Sequence, residues 1–277
     1  FKYPKNPNVV RLGEGGLRFK KANLGNKKPK FSIITVVLNN EIYLEETIES
    51  VLNQTYKNFE YIIIDGGSTD RSVEIIKKYE NKIDYWISEK DNGIYDAFNK
   101  GMELANGEFI GIINSDDVYK INALEIINKN IFFYKNPDFI FGSVKKHWGV
   151  LHGYKPKKIY YSWGFYSSHS TGFFLSRNAA EITGKYDLQY KYHADYDYFY
   201  RLIVKKKLRG CATTKDEITG IFRRGGFSSK ISFCKLFFEE IKIRLNHKQN
   251  IFLIAVIFSY KILKNFNKIL SCFVNSK

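Results

Sequence analysis

The sequence predicts an α/β fold: a mainly parallel sheet with helices on both faces, extended at the C-terminus by further helices. Three observations point there. From residue 31 to about residue 145, short apolar runs rich in β-branched residues alternate with amphipathic stretches of helical length. Strands separated by helices of that length imply right-handed crossovers and parallel pairing. Acidic residues and glycines gather in the segments that follow the strands, where open α/β sheets bind their ligands. With 44% hydrophobic residues, 23 Phe and 20 Tyr, the 277-residue chain has ample material for a core, which excludes disorder as its main state.

Residues 1–30 contain Pro, Asn, Gly and Lys without period and read as a basic arm, extended or packed along the body. Phe31–Leu38 (FSIITVVL) is a strand buried on both faces. Asn39 and Asn40 end it, and Asn40 is placed to cap a helix whose Leu44, Ile48, Val51 and Leu52 form one apolar face. Tyr61–Ile64 is the next strand, Ser72–Tyr79 a helix, Tyr85–Ser88 a strand, Tyr95–Ala105 a helix, Phe109–Ile113 a strand and Leu124–Phe133 a helix. Beyond about residue 145 the alternation fades into an aromatic, basic region with an extended run Thr171–Ser176 and a helix from about Asp195 to Lys206. Two helical stretches close the chain. The division is a basic arm over 1–30, an α/β domain over 31–230 and a basic, apolar helical region over 231–277.

The formal charge is +16 and sits at the ends: residues 1–30 carry nine Lys/Arg against Glu14, and residues 230–277 carry nine against Glu239 and Glu240. Between them, 26 basic residues meet 25 acidic ones. A near-neutral body with basic ends argues against specific nucleic-acid binding, which places charge on the folded recognition surface, and suits a soluble body held at an anionic membrane surface. Cys211, Cys234 and Cys272 lack C-x-x-C spacing, so neither a disulfide framework nor a zinc site is indicated, and a reducing, cytoplasmic compartment is expected. No signal peptide is read in a chain that begins at Phe1, and the run Ile251–Tyr260 is about half the ~20 residues that span a bilayer.

Chemistry concentrates after the strands. Asp116 and Asp117 are adjacent carboxylates whose mutual repulsion a divalent cation, Mn2+ or Mg2+, would relieve while completing its shell with phosphate oxygens. Alone, the pair reads better as an Asp turn capping the next helix, and its context reverses that preference. Asp65 ends its strand before Gly66-Gly67-Ser68-Thr69-Asp70, where glycines permit close backbone approach by a ring or phosphate and a carboxylate can accept from a nucleobase or ribose. Ser68 or Asp70 can cap the following helix.

Taken in order, TVVLNN at 35–40, ESVLNQTYKNFEYIIIDGGSTD at 49–70, SEKDNGIYDAFNKG at 88–101, ANGEFIGIINSDD at 105–117 and ADYDYFYRL at 194–202 closely resemble the family 2 glycosyltransferases, nearest the bacterial branch that builds capsule, O-antigen and exopolysaccharide. The similarity covers roughly residues 31–230. It implies a GT-A, Rossmann-like fold and transfer, with inversion, of a sugar from a nucleotide diphosphate donor, UDP-linked, to a hydroxyl of a glycan or lipid-linked acceptor. The resemblance makes Asp117 the first metal ligand with Asp116 beside it. It makes Asp195 the catalytic base, with Ala194 where the family usually has Glu, and Asp197 as rival; helix positions i and i+2 do not share a face. Donor contacts are expected from Thr35, Asn39, Asp65, Gly66, Gly67, Asp91, Gly93, Asp96, Asn99, Ser115, Asp116 and Arg223, with Gly66 standing where many members have a second Asp. Arg223, Arg224, Gly225, Gly226 and Ser228 resemble the family's loop near the donor pyrophosphate, although a solvated basic turn competes. His169 and His193 read as packed or polar histidines.

Ile251–Phe258, followed by Lys261, Lys264 and Lys268, reads either as an interfacial anchor at the inner face of the cytoplasmic membrane or as a helix packed on the body or on a second subunit. A dinucleotide-binding oxidoreductase lacks support, because Asn39-Asn40 stand where G-x-G-x-x-G would begin, and no P-loop motif occurs. The competing class is a degenerate, non-catalytic binding protein docked through its basic ends, which has no reason to keep Asp65, Asp116, Asp117 and Asp195 together.

Overall fold

In the computed structural model of the chain, residues 4, 9–20, 28–161, 170–223 and 231–266 are described. Strand β1 (Arg11–Gly15) and the short helix α1 (Leu17–Lys20) precede the alternating core: β2 (Phe31–Val37), α2 (Leu44–Leu52), β3 (Phe59–Asp65), α3 (Ser72–Lys78), β4 (Tyr85–Glu89), α4 (Ile94–Leu104) and β5 (Phe109–Asn114). Then come β6 (Val118–Tyr119), α5 (Ala123–Phe133), β7 (Phe139–Phe141), β8 (Ser143–Lys146), β9 (Gly149–Leu151), α6 (Lys158–Tyr161), β10 (Phe173–Ser176) and α7 (Arg177–Thr183). Helix α8 (Ala194–Tyr200) runs into a π-helical turn (Arg201–Lys205), followed by β11 (Gly210–Ala212), β12 (Ile218–Ile221), α9 (Phe233–Asn246) and α10 (Ile251–Lys264).

The large sheet has the order β1-β4-β3-β2-β5-β10-β7-β11. Its centre, β4-β3-β2-β5, is parallel, as are β7 and β11; β1 and β10 run antiparallel to their neighbours. Strand periodicity of two explains how both faces are covered. Ile34 and Val36 point with Ile62 and Ile64 into one apolar cluster with α4 and α8, whereas Phe31, Ile33 and Val37 join Tyr61 and Ile63 in the other, against α2 and α5. Every residue of β2 is buried, the reason its sequence is largely apolar rather than alternating, with Ser32 and Thr35 hydrogen-bonded inside the protein.

Several local expectations change. Asn40 does not cap α2 with its side chain; Tyr43 holds the cap position, and Asn40 Nδ2 donates to Ser115 Oγ at 2.9 Å instead. Neither Ser68 nor Asp70 holds the cap position of α3, which falls to Arg71, although Asp70 Oδ1 accepts the Ser72 N–H at 3.0 Å. Ser170–Gly172 is a 3-10 turn, so the extended segment is shorter than Thr171–Ser176. The Asp195–Lys206 helix is regular only to Tyr200. The Lys206 N–H then reaches the Arg201 carbonyl five residues back, widening the turn.

The flanks pack on this core. Strand β1 adds an edge beside β4, where Arg11 bridges Glu14 and Glu89, and Arg18 donates to Glu60 Oε2 at 2.7 Å. Helix α9 carries the fully buried Arg244, paired with Glu240 at 2.9 Å, and α10 lies against it through Phe237 and Phe258, whose rings are 4.9 Å apart. A second, four-stranded sheet of order β6-β12-β8-β9 leaves the main sheet directly after Asp117. It carries the ends of β8 and β12 back beside the ends of the parallel strands.

Candidate active site

The parallel strands β2, β3, β4 and β5 end side by side, and their following loops are stitched to one another. The Asn39 N–H donates to Ser68 Oγ at 2.8 Å and Asn39 Oδ1 accepts the Thr69 N–H at 2.8 Å, with Asn39 itself at φ 50°. Asn thus holds a left-handed turn that most side chains resist. Ser115, buried, is joined to Asn40 on the neighbouring strand end.

Asp65 is fully buried, and its carboxylate accepts from the Gly67 N–H at 3.1 Å, the Ser68 N–H at 3.0 Å, Ser88 Oγ at 2.6 Å and Ser68 Oγ. With four donors satisfied inside the protein, it shapes the loop expected to contact the donor. Gly67 lies at φ +88° and passes against the Lys90 backbone, which requires glycine. Two further residues expected to contact the donor have partners inside the protein. Thr35 is fully buried in mid-strand, its hydroxyl bonded to Tyr61 at 2.8 Å. Asn99 is buried on α4, and both ends of its amide bond the Tyr186 backbone at 2.9 and 2.8 Å, bracing the loop ahead of α8.

The loop after β4 is self-organised. Asp91 Oδ1 accepts the Gly93 N–H at 2.9 Å, Asp96 Oδ2 accepts the Asn92 N–H at 3.0 Å, and Gly93 supplies φ +107° at the start of α4. Asp96 also lies 3.7 Å from Lys100, a buried ammonium held by Glu89 at 3.0 Å. Asp96 therefore fixes the loop rather than standing free in it.

At the end of β5, Asp117 is fully buried; Oδ2 accepts from Thr171 Oγ1 at 2.5 Å and Oδ1 from the Arg223 N–H at 3.1 Å. Asp116 is half-buried and is the more accessible carboxylate of the pair. Among the described residues, no three His, Cys, Asp or Glu gather into a metal cage. A Mg2+- or Mn2+-type ion needs one or two carboxylates and takes its remaining ligands from water and phosphate, which the accessible Asp116 fits directly and Asp117 fits only where the ion replaces one of its two hydrogen-bond partners. Arg223 also pairs with Glu46 at 2.6 Å and stacks its guanidinium 4.2 Å from the Tyr43 ring. Its sequence neighbours Arg224, Gly225, Gly226 and Ser228, and His169, fall outside the described residues.

Across the opening, α8 gives its two carboxylates different surroundings. Asp197 is buried, bound to Arg201 Nε at 2.9 Å and His247 Nε2 at 2.8 Å. Asp195 is half-exposed; its Oδ1 accepts the Tyr196 N–H at 2.9 Å and lies 3.3 Å from the Tyr95 hydroxyl, whose one proton is shared with the Tyr192 carbonyl at 3.1 Å. Burial, reinforced by the Asp195 charge, pushes the Tyr95 hydroxyl far above its ordinary range, so it remains a donor. His193 precedes the helix with its N–H bonded to Glu239.

Two contributors escaped the sequence reading. Tyr95 lies inside the 88–101 motif, and only its distance from Asp195 reveals a role. Lys146 ends β8, with its ammonium 4.4 Å from the Phe222 ring; burial lowers its pKa and the Asp117 charge opposes that. Only the β8–β12 pairing brings it to the site, so no local pattern could have marked it.

This fold and strand-end arrangement are those of a glycosyltransferase domain, and residues 32–196 match the model of Glycosyl transferase family 2. The chain belongs to that family. It is 36% identical over 115 residues to "Glycosyltransferase GlyG" of Streptococcus pneumoniae serotype 4, covering 40% of this chain and 38% of that protein. It is 40% identical over 104 residues to the "Putative teichuronic acid biosynthesis glycosyltransferase TuaG" of Bacillus subtilis, covering 36% of this chain and 41% of TuaG. The matched stretches thus span about two fifths of these relatives. Among solved structures, S. aureus TarS 1–349 in complex with UDP-GlcNAc superposes with a TM-score of 0.63 at 20% identity, covering 78% of this chain and 66% of that one. The mannosyltransferase PcManGT of Pyrobaculum calidifontis, in complex with GDP-Man and Mn2+, gives 0.59 at 15%, covering 81% and 66%. These likenesses establish the GT-A fold.

Proposed function

We propose that the protein transfers a sugar, with inversion, from a nucleotide diphosphate donor, UDP-linked, to a hydroxyl of a glycan or lipid-linked acceptor in bacterial surface polysaccharide synthesis. The observation that carries this reading is the Tyr95–Asp195 hydrogen bond, which fixes a half-exposed carboxylate beside the helix that opens directly after the β4 loop. Asp195 takes the proton of the acceptor hydroxyl as the acceptor oxygen bonds the anomeric carbon; the bond from that carbon to phosphate oxygen breaks and the nucleoside diphosphate leaves. Tyr95 positions Asp195. Lys146 brings an ammonium group to the Asp117 side, where the departing diphosphate needs a cation, and Arg223 contributes its backbone N–H there while its guanidinium is held by Glu46. A divalent cation held by Asp116 and Asp117 would neutralise part of that developing charge. The relatives' names, which include teichuronic acid biosynthesis, support an acceptor of the cell surface. The protein would work in the cytoplasm, peripherally at the inner face of the membrane.

Incubating the purified protein with a panel of nucleotide sugars should give donor hydrolysis from a UDP-sugar that requires Mn2+ or Mg2+ and stops in excess chelator. Absence of turnover across the panel with the cation present would sink the reading, and full turnover in chelator would remove the metal from it.

A further inference from the structure

The loops after β3 and β4 meet at Gly66, and the absence of a side chain there lets them meet. A Cβ at Gly66 would lie 2.4 Å from Asp91 Oδ2 and 3.0 Å from its Cγ. The Asp91 carboxylate therefore fills the space that any side chain at 66 would claim. Its two oxygens stand in unequal states. Oδ1 accepts the Gly93 N–H at 2.9 Å, closing a turn that fixes the carboxylate's orientation. Oδ2 receives no hydrogen bond among the described residues, although the side chain is only partly exposed. Burial raises the carboxyl above its ordinary range, opposed by the Gly93 N–H and the Lys100 charge. Such an oxygen is partly desolvated and accepts no donor from the protein, so it is open to one from a ligand. The adjacent Asp65 cannot substitute for it, because its own four donors come from the loop and Ser88.

We propose that Asp91, seated over Gly66, reads the donor's nucleobase through one N–H accepted by Oδ2, and that this single open acceptor selects uracil over guanine. The proposal rests on the nucleotide-sugar reading above and deepens it. Uracil presents one ring N–H between two carbonyls, which one oxygen satisfies. Guanine presents a ring N–H beside an exocyclic amine, a pair of donors that calls for both oxygens of a carboxylate, and Oδ1 is committed to Gly93. Cytosine has no ring N–H at that position. Gly66 is the complementary device, since any larger residue displaces the carboxylate from this seat.

Calorimetric titration of the full chain with UDP, GDP and N3-methyl-UDP in the presence of Mn2+ tests this. The unaltered protein should bind UDP about tenfold or more tightly than N3-methyl-UDP, as expected for a hydrogen bond to a charged acceptor, and more tightly than GDP. Asp91→Ala should bind UDP and N3-methyl-UDP equally, with Mn2+-dependent binding of inorganic pyrophosphate unchanged. Gly66→Ala should erode the same preference by displacing the carboxylate. Equal binding of UDP and N3-methyl-UDP by the unaltered protein overturns the proposal, and this comparison needs no variant to fold. Tighter binding of GDP, or full discrimination retained in Asp91→Ala, overturns it too. Pyrophosphate binding without base preference defeats Asp91 alone, whereas failure of every nucleotide and of pyrophosphate removes the nucleotide-sugar reading as well.

Discussion

Asp195 and Asp197 lie two residues apart on one short helix and have opposite surroundings. Asp197 is enclosed by Arg201 and His247, while Asp195 keeps one oxygen without a donor among the described residues. Asp195→Asn should therefore lower transfer by about a hundredfold or more with donor affinity near normal, because the amide cannot take the acceptor's proton. Single-turnover transfer beside equilibrium UDP binding checks this; a fully active Asp195→Asn assigns the base elsewhere. Asp117 combines two roles. Asp117→Ala removes a candidate cation ligand and also leaves the Thr171 hydroxyl and the Arg223 N–H without that partner. Cation-dependent donor hydrolysis should fall, and stability should drop by about 1–3 kcal/mol. Asp116→Ala, at a half-exposed position, should lose hydrolysis with a smaller change in the denaturation midpoint.

At the scale of elements, the clamp between α8 and α9 keeps Asp195 in place. Burial pushes the Asp197 carboxyl up, but the His247 hydrogen bond and the Arg201 charge outweigh it, and the net shift is downward. The folded pKa then lies below the unfolded one, so the clamp's contribution is complete above the unfolded value and is lost as pH falls through the folded value. Stability supplied by Asp197 should fade over the acid range, as pH falls from the ordinary carboxylate value toward the lowered folded one. Asp197→Asn should cost about 3 kcal/mol at pH 7, as for a broken buried pair, and the difference from the unaltered protein should shrink across that acid range. Urea denaturation at both ends of the range measures it; a constant difference would remove the ion pair from the account.

For the molecule as a whole, the charge at the ends is partly spent internally. Arg11 and Arg18 bind Glu14, Glu89 and Glu60, and Lys261 is buried against Glu240. What the C-terminal region does expose is apolar: Phe252 is 79% exposed, Val256 67% and Leu263 77%. No helix among the described residues is long and apolar enough to cross a membrane. An exposed apolar stripe on a basic region suits binding in the interface of an anionic bilayer, with each nearby cation adding up to about 1 kcal/mol. Changing Phe252, Val256 and Leu263 together to Ser should reduce sedimentation with phosphatidylserine vesicles, while raised salt should release part of the unaltered protein. Activity on a water-soluble acceptor should survive, since these residues lie on the far side of α10 from its contacts with α9. Equal sedimentation of both proteins would refute the anchor.

The sequence by itself determined the alternating core, because strands buried on both faces must be largely apolar without alternation, as Phe31–Val37 and Tyr61–Ile64 are, and helices between them must carry one apolar stripe. It also marked the strand ends as the site and singled out the Asp116–Asp117 pair, since those signals are local in the chain. Which carboxylates are open was decided only in the tertiary structure. Asp65, Thr35 and Asn99 sit inside motifs, yet their polar atoms are consumed by Ser88, Tyr61 and Tyr186, partners between 23 and 87 residues away. Tyr95 meets Asp195 across 100 residues, and Lys146 reaches the site through a strand pairing that no periodicity encodes. A hydrogen bond depends on distances of a few tenths of an ångström between chain segments, and composition and spacing carry no record of such distances until the sheet has brought the segments together.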